Sequence, residues 1–387
     1  MVKVGTIFTE LLKLIPRYHF DRSVARYQGD HYCKSFTAWR QFITMLYAQI
    51  KSKDSLRDIV TGIGTQSNNR YHLGLEKVCR STISDANNNR DYRIFEELFY
   101  QLLERCKSLT PKHKFRFKNI LYSIDASTID LCLSVFPWAK FRKTKGAIKL
   151  HCLYNHSGAL PSFMVVTDGK AHEAKVMKEK NFPLPPDSIV SVDRGYLDFK
   201  WLYSLTKKRV YFVTQSKSNF NYHVTGQHTE PKGKGVLKDE IISLGGFYAE
   251  KDYPESLRRI EFYDEERKKK LLFLTNQFGL AALSIAAIYK SRWQIELFLK
   301  WIKQNLKIKS FLGTLKNAVI TQIWVAMCYY LLLAYLKYQT KYAHSMLELT
   351  RLIKETLFDR KNLIDILTLK TEKLINYRES PVQGALF

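Results

Sequence analysis

The stretch Tyr289–Lys307, YKSRWQIELFLKWIKQNLK, decides how the chain is read. It has no Gly or Pro, and its apolar residues recur at intervals of three and four, so the spacing predicts one helix. Ile295, Phe298, Leu299, Ile302 and Leu306 fall on one face. At about 100° per residue, Tyr289, Arg292, Glu296 and Lys303 crowd into an arc of roughly 60°, bordered by Lys300 and Lys307. Trp293, Leu297 and Trp301 wall its other side. A single carboxylate in a stripe of cations with apolar flanks predicts one wall of a cleft that holds an anion. The ordinary alternative is a set of helical ion pairs, because Glu296 stands four residues from both Arg292 and Lys300.

The gaps between the polar residues go further. The pattern Tyr-x2-Arg-x3-Glu-x6-Lys, here Tyr289, Arg292, Glu296 and Lys303, resembles the YREK signature of the insertion-sequence transposases of family four, a group of DDE enzymes. Other stretches share the resemblance: SIDAST at 123–128, DRGY at 193–196, FPWAKFRKTKGAIKLH at 136–151, FLTN at 273–276 and GTLKNAV at 313–319. Together they span residues 120–336. RSTISDANNNR at 80–90 also resembles the helical domain that fronts one branch of these transposases.

Composition bounds the partners. The 387 residues hold 45% hydrophobic side chains, enough for two or three folded domains. Lys and Arg number 62 against 36 Asp and Glu, a net charge of +26. Such an excess points to a polyanion, most economically nucleic acid; the resemblance implies that it is double-stranded DNA. The N-terminus shows no signal-peptide pattern, and a cytoplasmic, nucleoid-associated bacterial protein is expected. Six cysteines show no C-x-x-C pair and read as buried thiols of a reducing compartment. Val319–Leu336 is apolar enough to suggest a membrane span, but Thr321 and Gln322 interrupt it and a buried helix is expected, with no membrane partner.

Residues 1–112 read as a helical, DNA-binding domain. Helices are expected over Phe36–Lys51, over a Ser55-capped segment stopped by Gly62 and Gly64, from a capping-box-like Thr82-x-x-Asp85, and over Ile94–Leu109. This order suggests either a helix-turn-helix module or a plain bundle. From Asn119 the period changes to two. Strands are expected around Ile120–Ile124, Ala147–Leu153 and Phe163–Val166, with a Gly158–Pro161 turn. A helix over Ala171–Glu179, a buried strand Ile189–Val192, a helix Phe199–Lys207 and a strand Val210–Thr214 follow. That order predicts an α/β ribonuclease H-like catalytic core over 113–310. A β-rich insertion is expected over about 216–276, with a helical C-terminal region over 311–387 that is also a candidate dimer contact.

Asp125 and Asp193 stand at expected strand ends, but so do other carboxylates, and Asp130, Asp168, Asp187 and Asp198 are equal candidates from spacing alone. The resemblance selects Asp125, Asp193 and Glu296 as catalytic residues and metal ligands. It implies two Mg2+ ions, with Mn2+ as substitute, because hard cations take carboxylate oxygens and paired ions serve phosphodiester displacement. It implies DNA contacts by Tyr289, Arg292 and Lys303, with Lys300 beside them and Arg194 as a further candidate. The basic run Lys140, Arg142, Lys143, Lys145 and Lys149 suits phosphate tracking. The implied activity is cut-and-paste transposition by a homodimer bound to terminal inverted repeats and target DNA. The resemblance implies that the insertion helps to hold a flipped base, in one member of the family on a Trp; this insertion has no Trp, and any one of its rings Phe247, Tyr248, Tyr253, Phe262 and Tyr263 is a candidate for that stacking. The rival functions are a nuclease without strand transfer and a catalytically dead DNA-binding regulator.

Overall fold

The computed structural model describes residues 5–66, 73–75, 77–142, 145–171, 173–216, 220–228 and 235–368. Lys143 lies outside the described residues. The chain divides into two compact units, one from residues 1–110 with 305–387 and one from residues 111–304.

The first unit is helical. Ala38–Ile50 is capped by Thr37, Leu56–Gly64 by Ser55, and Arg93–Lys107 follows Arg80–Asn89. Two local expectations are corrected. The helix at Arg80 begins at Cys79 with no side-chain cap, so the Thr82-x-x-Asp85 pattern lies inside it. Gly62 does not stop its helix, which runs on to its expected end at Gly64. A Cβ on Gly62 would meet the Tyr47 hydroxyl and the Lys53 ammonium, so this glycine leaves room for two side-chain ends rather than terminating the helix.

Lys316–Gln339 is the apolar helix, and it is buried from Ala318 to Ala334 and again at Leu336. Phe99 packs on Trp324 at 5.1 Å between ring centres, and Cys328 donates to the Phe95 carbonyl. The two polar residues within its apolar run, Thr321 and Gln322, are buried too. Gln322 Nε2 donates to the carbonyls of Lys307 and Ser310, while its Oε1 accepts from the Leu312 amide. The cysteines are all free, but Cys79 and Cys132 are exposed and Cys33 is half-buried, so only Cys106, Cys152 and Cys328 fit the expectation of buried thiols.

The second unit is built on a sheet. Its strands are β1 Leu121–Leu131, β2 Lys140–Arg142, β3 Lys145–Asn155, β4 Leu160–Asp168, β5 Ile189–Val192, β6 Tyr211–Gln215, β7 Tyr222–Gln227, β8 Val236–Leu244, β9 Leu257–Asp264 and β10 Lys269–Thr275. The order is β2-β3-β1-β5-β6-β10-β9-β8-β7, with β4 also on β3. β4, β3 and β1 run antiparallel, then β5 and β6 join in parallel. A three-stranded meander followed by two parallel strands is the ribonuclease H-like order expected from the period changes. β5 is buried at every residue, as a central parallel strand must be. The β-rich insertion does not stand apart from this core. β10 returns antiparallel to β6, so β7–β10 widen the same sheet.

Alternation along β1 sorts the two faces. Tyr122 and Ile124 join Val190, Val192, Trp201, Leu202 and Leu205 in one core. Leu121 faces the other way, with Ile189, Val213, Phe273 and the Ile285, Ala286 and Ile288 side of the Ala282–Ser291 helix. Odd-numbered β1 residues therefore point toward that second layer.

The decisive stretch is not one helix. Ala282–Ser291 ends and Trp293–Asn305 begins, with Arg292 between them. Ser291 Oγ donates to the Ile288 carbonyl, and the Arg292 and Ile295 amides reach back only three residues, to Tyr289 and Arg292. Such competition by a serine hydroxyl and three-residue bonding tightens and breaks a helix. The apolar face is as expected: Ile295, Phe298, Leu299, Ile302 and Leu306 are all buried.

Candidate active site

β1 and β5 bring the two aspartates together. Their parallel pairing runs from Leu121 with Ile189 to Ile124 with Val192. Asp125 and Asp193 are the next residues on neighbouring strands, which lie about 4.8 Å apart. Asp193 ends β5 as expected. Asp125 does not end β1, because β3 continues to pair with it as far as Leu131. It marks instead the point where β1 loses its parallel neighbour. Beyond it the backbone of β1 is paired by β3 alone.

The Ala282–Ser291 helix and the residues after it close over this point. Tyr289 donates its hydroxyl toward Asp193 Oδ1 at 3.4 Å and toward Gln215 Oε1 at 3.1 Å. Arg292 Nη2 donates to Glu296 Oε1 at 2.6 Å, and its Nη1 lies 4.0 Å from Asp125 Oδ2. Asp125 Oδ1 accepts from the Ala126 amide at 2.8 Å. The Arg292 guanidinium stands 5.7 Å from the Tyr289 ring centre. Its side chain is only 13% exposed, against 22% for Asp125 and 30% for Glu296.

The electrostatics follow from this packing. Burial works against the Arg292 charge but is outweighed by Tyr289, Glu296, Asp193 and Asp125, which together hold its pKa above the usual value. Burial, with Asp193 adding to it and Arg292 opposing, pushes the Tyr289 phenol up to about 12. Tyr289 therefore stays a neutral hydrogen-bond donor, and Arg292 stays a cation that senses all three carboxylates. Cys152, opposite Asp125 on β3, is pushed up by burial and by that carboxylate and is no nucleophile.

The ion pair between Glu296 and Arg292 that ordinary helix spacing predicted is formed, and it is also part of the wider cluster. Among the described residues no three His, Cys, Asp or Glu side chains are drawn into a metal-holding group. The donor chemistry nonetheless suits a hard divalent ion, since the three carboxylates offer only oxygen.

The remaining candidates are spread over the unit. Lys303 is half-buried and Lys300 exposed on the Trp293–Asn305 helix. Arg194 is exposed in the single helical turn after Asp193. Lys140, Arg142 and Lys145 are exposed along the β2–β3 hairpin, while Lys149 is half-buried and donates to the Ala171 carbonyl. Of the competing carboxylates, Asp198 caps the Phe199–Lys207 helix and pairs with Lys178, and Asp187 pairs with Arg209. Both are ordinary structural partners. Of the five rings named for the insertion, Tyr253 and Phe262 are buried; Phe247 and Tyr248 are 76% and 81% exposed and meet edge to face.

His156, Ser123, Gln215 and Gln294 also contact this cluster or its supports, and no motif in the sequence singles them out. Their one sequence signal is position: Ser123 and Gln294 each stand two residues before a candidate carboxylate.

A family model described as a transposase DDE domain matches residues 116–332, more than half of the chain. A second, described as a domain of unknown function (DUF4372), matches residues 4–76. A putative transposase (y4zB) of Sinorhizobium fredii is 30% identical over 73% of this chain and 79% of its own length. A probable transposase for insertion sequence element IS5377 of Geobacillus stearothermophilus is 27% identical over 69% of this chain and 70% of its own. A putative transposase for insertion sequence element IS4SA of a Synechocystis species is 24% identical over 74% and 80%.

Proposed function

The chain belongs to the DDE transposases of insertion sequences, and from that premise we propose that Asp125, Asp193 and Glu296 are its catalytic carboxylates. A DDE transposase is a DNA-binding enzyme that requires a divalent metal; Mg2+, held as two ions on these three residues, is the proposed form. What carries the assignment is one relationship: two aspartates at the end of a parallel strand pair, with Tyr289 on one and the Arg292–Glu296 pair on the other.

The bound ions would supply Lewis-acid stabilisation of the attacking and leaving oxygens. The chain's own residues do the rest. Arg292 and Lys303 bind the phosphates beside the scissile bond, Arg292 as a bidentate donor and Lys303 as a point charge. Tyr289 holds Asp193 in orientation through its phenol. Lys300, Arg194, Lys140, Arg142, Lys143 and Lys145 track the DNA backbone. Phe247 and Tyr248, the most exposed of the insertion's named rings, are those on which an extruded base stacks.

The Tyr289, Arg292, Glu296 and Lys303 spacing supports assignment to family four and hence cut-and-paste transposition in the cytoplasm by a homodimer. Incubation of the protein and Mg2+ with a duplex carrying the element's terminal inverted repeat tests this. Cut-and-paste requires release of the element with both strands cut, followed by joining of its 3′ end to target DNA. Cleavage with no joined product would make the protein a nuclease instead.

Recognition of the element's ends is assigned to residues 1–112, with the Arg80–Asn89 helix as reader. Arg80, Ser81, Asp85 and Asn89 are exposed on it, while Ile83 and Asn87 face inward. Deleting residues 1–110 is a poor test, because the Lys316–Gln339 helix belongs to the same unit. Arg80→Ala and Asn89→Ala test it better. Both are expected to reduce the preference for terminal over random DNA while leaving salt-sensitive binding to any DNA. Unchanged preference in both would remove this helix from recognition.

A further inference from the structure

The turn after β3 carries a histidine that the proposed chemistry does not use. His156 Nε2 lies 2.7 Å from Ser123 Oγ, and its Nδ1 lies 3.2 Å from Gln294 Oε1. Ser123 is two residues before Asp125 on β1; Gln294 is two residues before Glu296 on its helix. One imidazole thus spans the two elements that deliver two of the three carboxylates. The His156 amide is itself fixed, donating to the Leu121 carbonyl at 3.1 Å.

A second contact uses the same helix face. Tyr154, also from the end of β3, meets Phe298 at 5.4 Å and His156 edge-on at 5.2 Å. Gln294 and Phe298 are four residues apart and so lie one above the other on the helix. The end of β3 therefore offers one apolar and one polar seat to a single stripe of the helix. An apolar seat tolerates sliding and rolling, whereas a hydrogen bond is lost at a displacement of about 1 Å. Burial holds His156 neutral, with its pKa at about 4 despite the Gln294 bond. A neutral ring has one donor and one acceptor. With Gln294 presenting its carbonyl oxygen, Nδ1 is the donor and Nε2 accepts from Ser123.

We propose that His156 is a positioning residue for catalysis: through Gln294 it sets the roll of the Trp293–Asn305 helix, and so the direction of Glu296 relative to Asp125. This rests on the reading of Asp125 and Glu296 as catalytic. A misplacement of about 1 Å in a catalytic group costs on the order of 100-fold in rate. His156 does not touch DNA or metal in this role, so it changes the chemical step and not the affinity for DNA.

The test is single-turnover cleavage by the full chain of a labelled duplex carrying the terminal repeat, in Mg2+, with a gel shift and thermal unfolding alongside. His156→Ala and Gln294→Ala are each expected to slow cleavage by about 10–100-fold with unchanged DNA affinity, and the double variant is expected to be no slower than either. The conservative variants separate positioning from packing. The Asn amide occupies the place of Nδ1, so His156→Asn keeps the bond to Gln294 and recovers most of the rate. The longer Gln reaches toward Ser123 instead, so His156→Gln does not. Full-rate cleavage by Gln294→Ala overturns the proposal, as does equal behaviour of His156→Asn and His156→Gln. If His156→Ala fails to fold, Gln294→Ala, altered at an exposed side chain, carries the test. Glu296→Ala distinguishes the two failures: efficient cleavage by that variant overturns the catalytic assignment itself, whereas a dead Glu296→Ala beside a full-rate Gln294→Ala overturns only the role of His156.

Discussion

Arg292 and Glu296 are joined across one helical turn, Nη2 to Oε1 at 2.6 Å, and the same guanidinium reaches to 4.0 Å from Asp125. A helical ion pair and the proposed catalytic cluster thus share one arginine. Substitutions separate the two roles. Asp125→Ala, Asp193→Ala and Glu296→Ala should each abolish strand cleavage and strand transfer while binding to end DNA persists or strengthens, since a negative charge facing phosphate is gone. Asp130→Ala, at an exposed position on the same strand, should be nearly silent. Cleavage of a labelled end fragment and a metal-free gel shift measure both. Efficient cleavage by Glu296→Ala would leave Glu296 with the ion-pair role alone.

In the proposed assignment, Arg292 and a divalent ion draw on the same carboxylate oxygens. Arg292→Gln should therefore tighten binding of Mn2+ in the absence of DNA, by roughly 10-fold if one ion pair's worth of competition is removed. It should weaken the complex with end DNA, where a charge-assisted phosphate contact worth about 1.5–3 kcal/mol is lost. Calorimetric titration of Mn2+ and a gel shift report the two effects. Weaker Mn2+ binding would mean that Arg292 orients Glu296 for the ion rather than competing with it.

Burial lowers the folded-state pKa of His156 to about 4, against about 6.5 in an unfolded chain. Between those values the unfolded chain takes up a proton that the folded chain does not. Stability from this group is complete above pH 6.5 and falls as pH drops toward 4. His151, also held at about 4 by burial, contributes in the same direction. His156→Asn removes one share, so the loss of unfolding free energy between pH 7 and pH 4.5 should shrink by about 1–3 kcal/mol. Urea unfolding at the two pH values checks this, and an unaltered difference would contradict it.

Gln322 is the least expected support of the apolar helix. Gln322→Leu raises the hydrophobicity of Lys316–Gln339 and, by local pattern alone, should improve a buried helix. It leaves the Leu312 amide and the Lys307 and Ser310 carbonyls without their partner. We expect a destabilisation of about 2–4 kcal/mol, measured by urea unfolding. A stabilised variant would show that water replaces these bonds without cost.

Much of the core was legible because local pattern carries it. A short, mostly apolar run between turns predicted the buried strand Ile189–Val192, and helical spacing predicted Phe199–Lys207, both found at those bounds. The period change at Asn119 and the order of elements specified a ribonuclease H-like sheet. The apolar stripe from Ile295 to Leu306 specified which face of that helix is buried. Side-chain period is a property of consecutive residues, so sequence alone determines it.

Tertiary structure decided what depends on partners far apart in the chain. Parallel register placed Asp125 beside Asp193, and packing against Asp193 and Asp125 accompanied the break at Arg292 that periodicity could not show. Asp198 and Asp187 lost their claim only once a helix end and Arg209 were found beside them. Residues 1–110 and 305–387 joined one unit, and His156 reached Ser123 and Gln294 across 33 and 138 positions. These pairings have no local period. Each is selected by the sum of many weak contacts and by the need to satisfy every buried polar group, which only the folded chain can do.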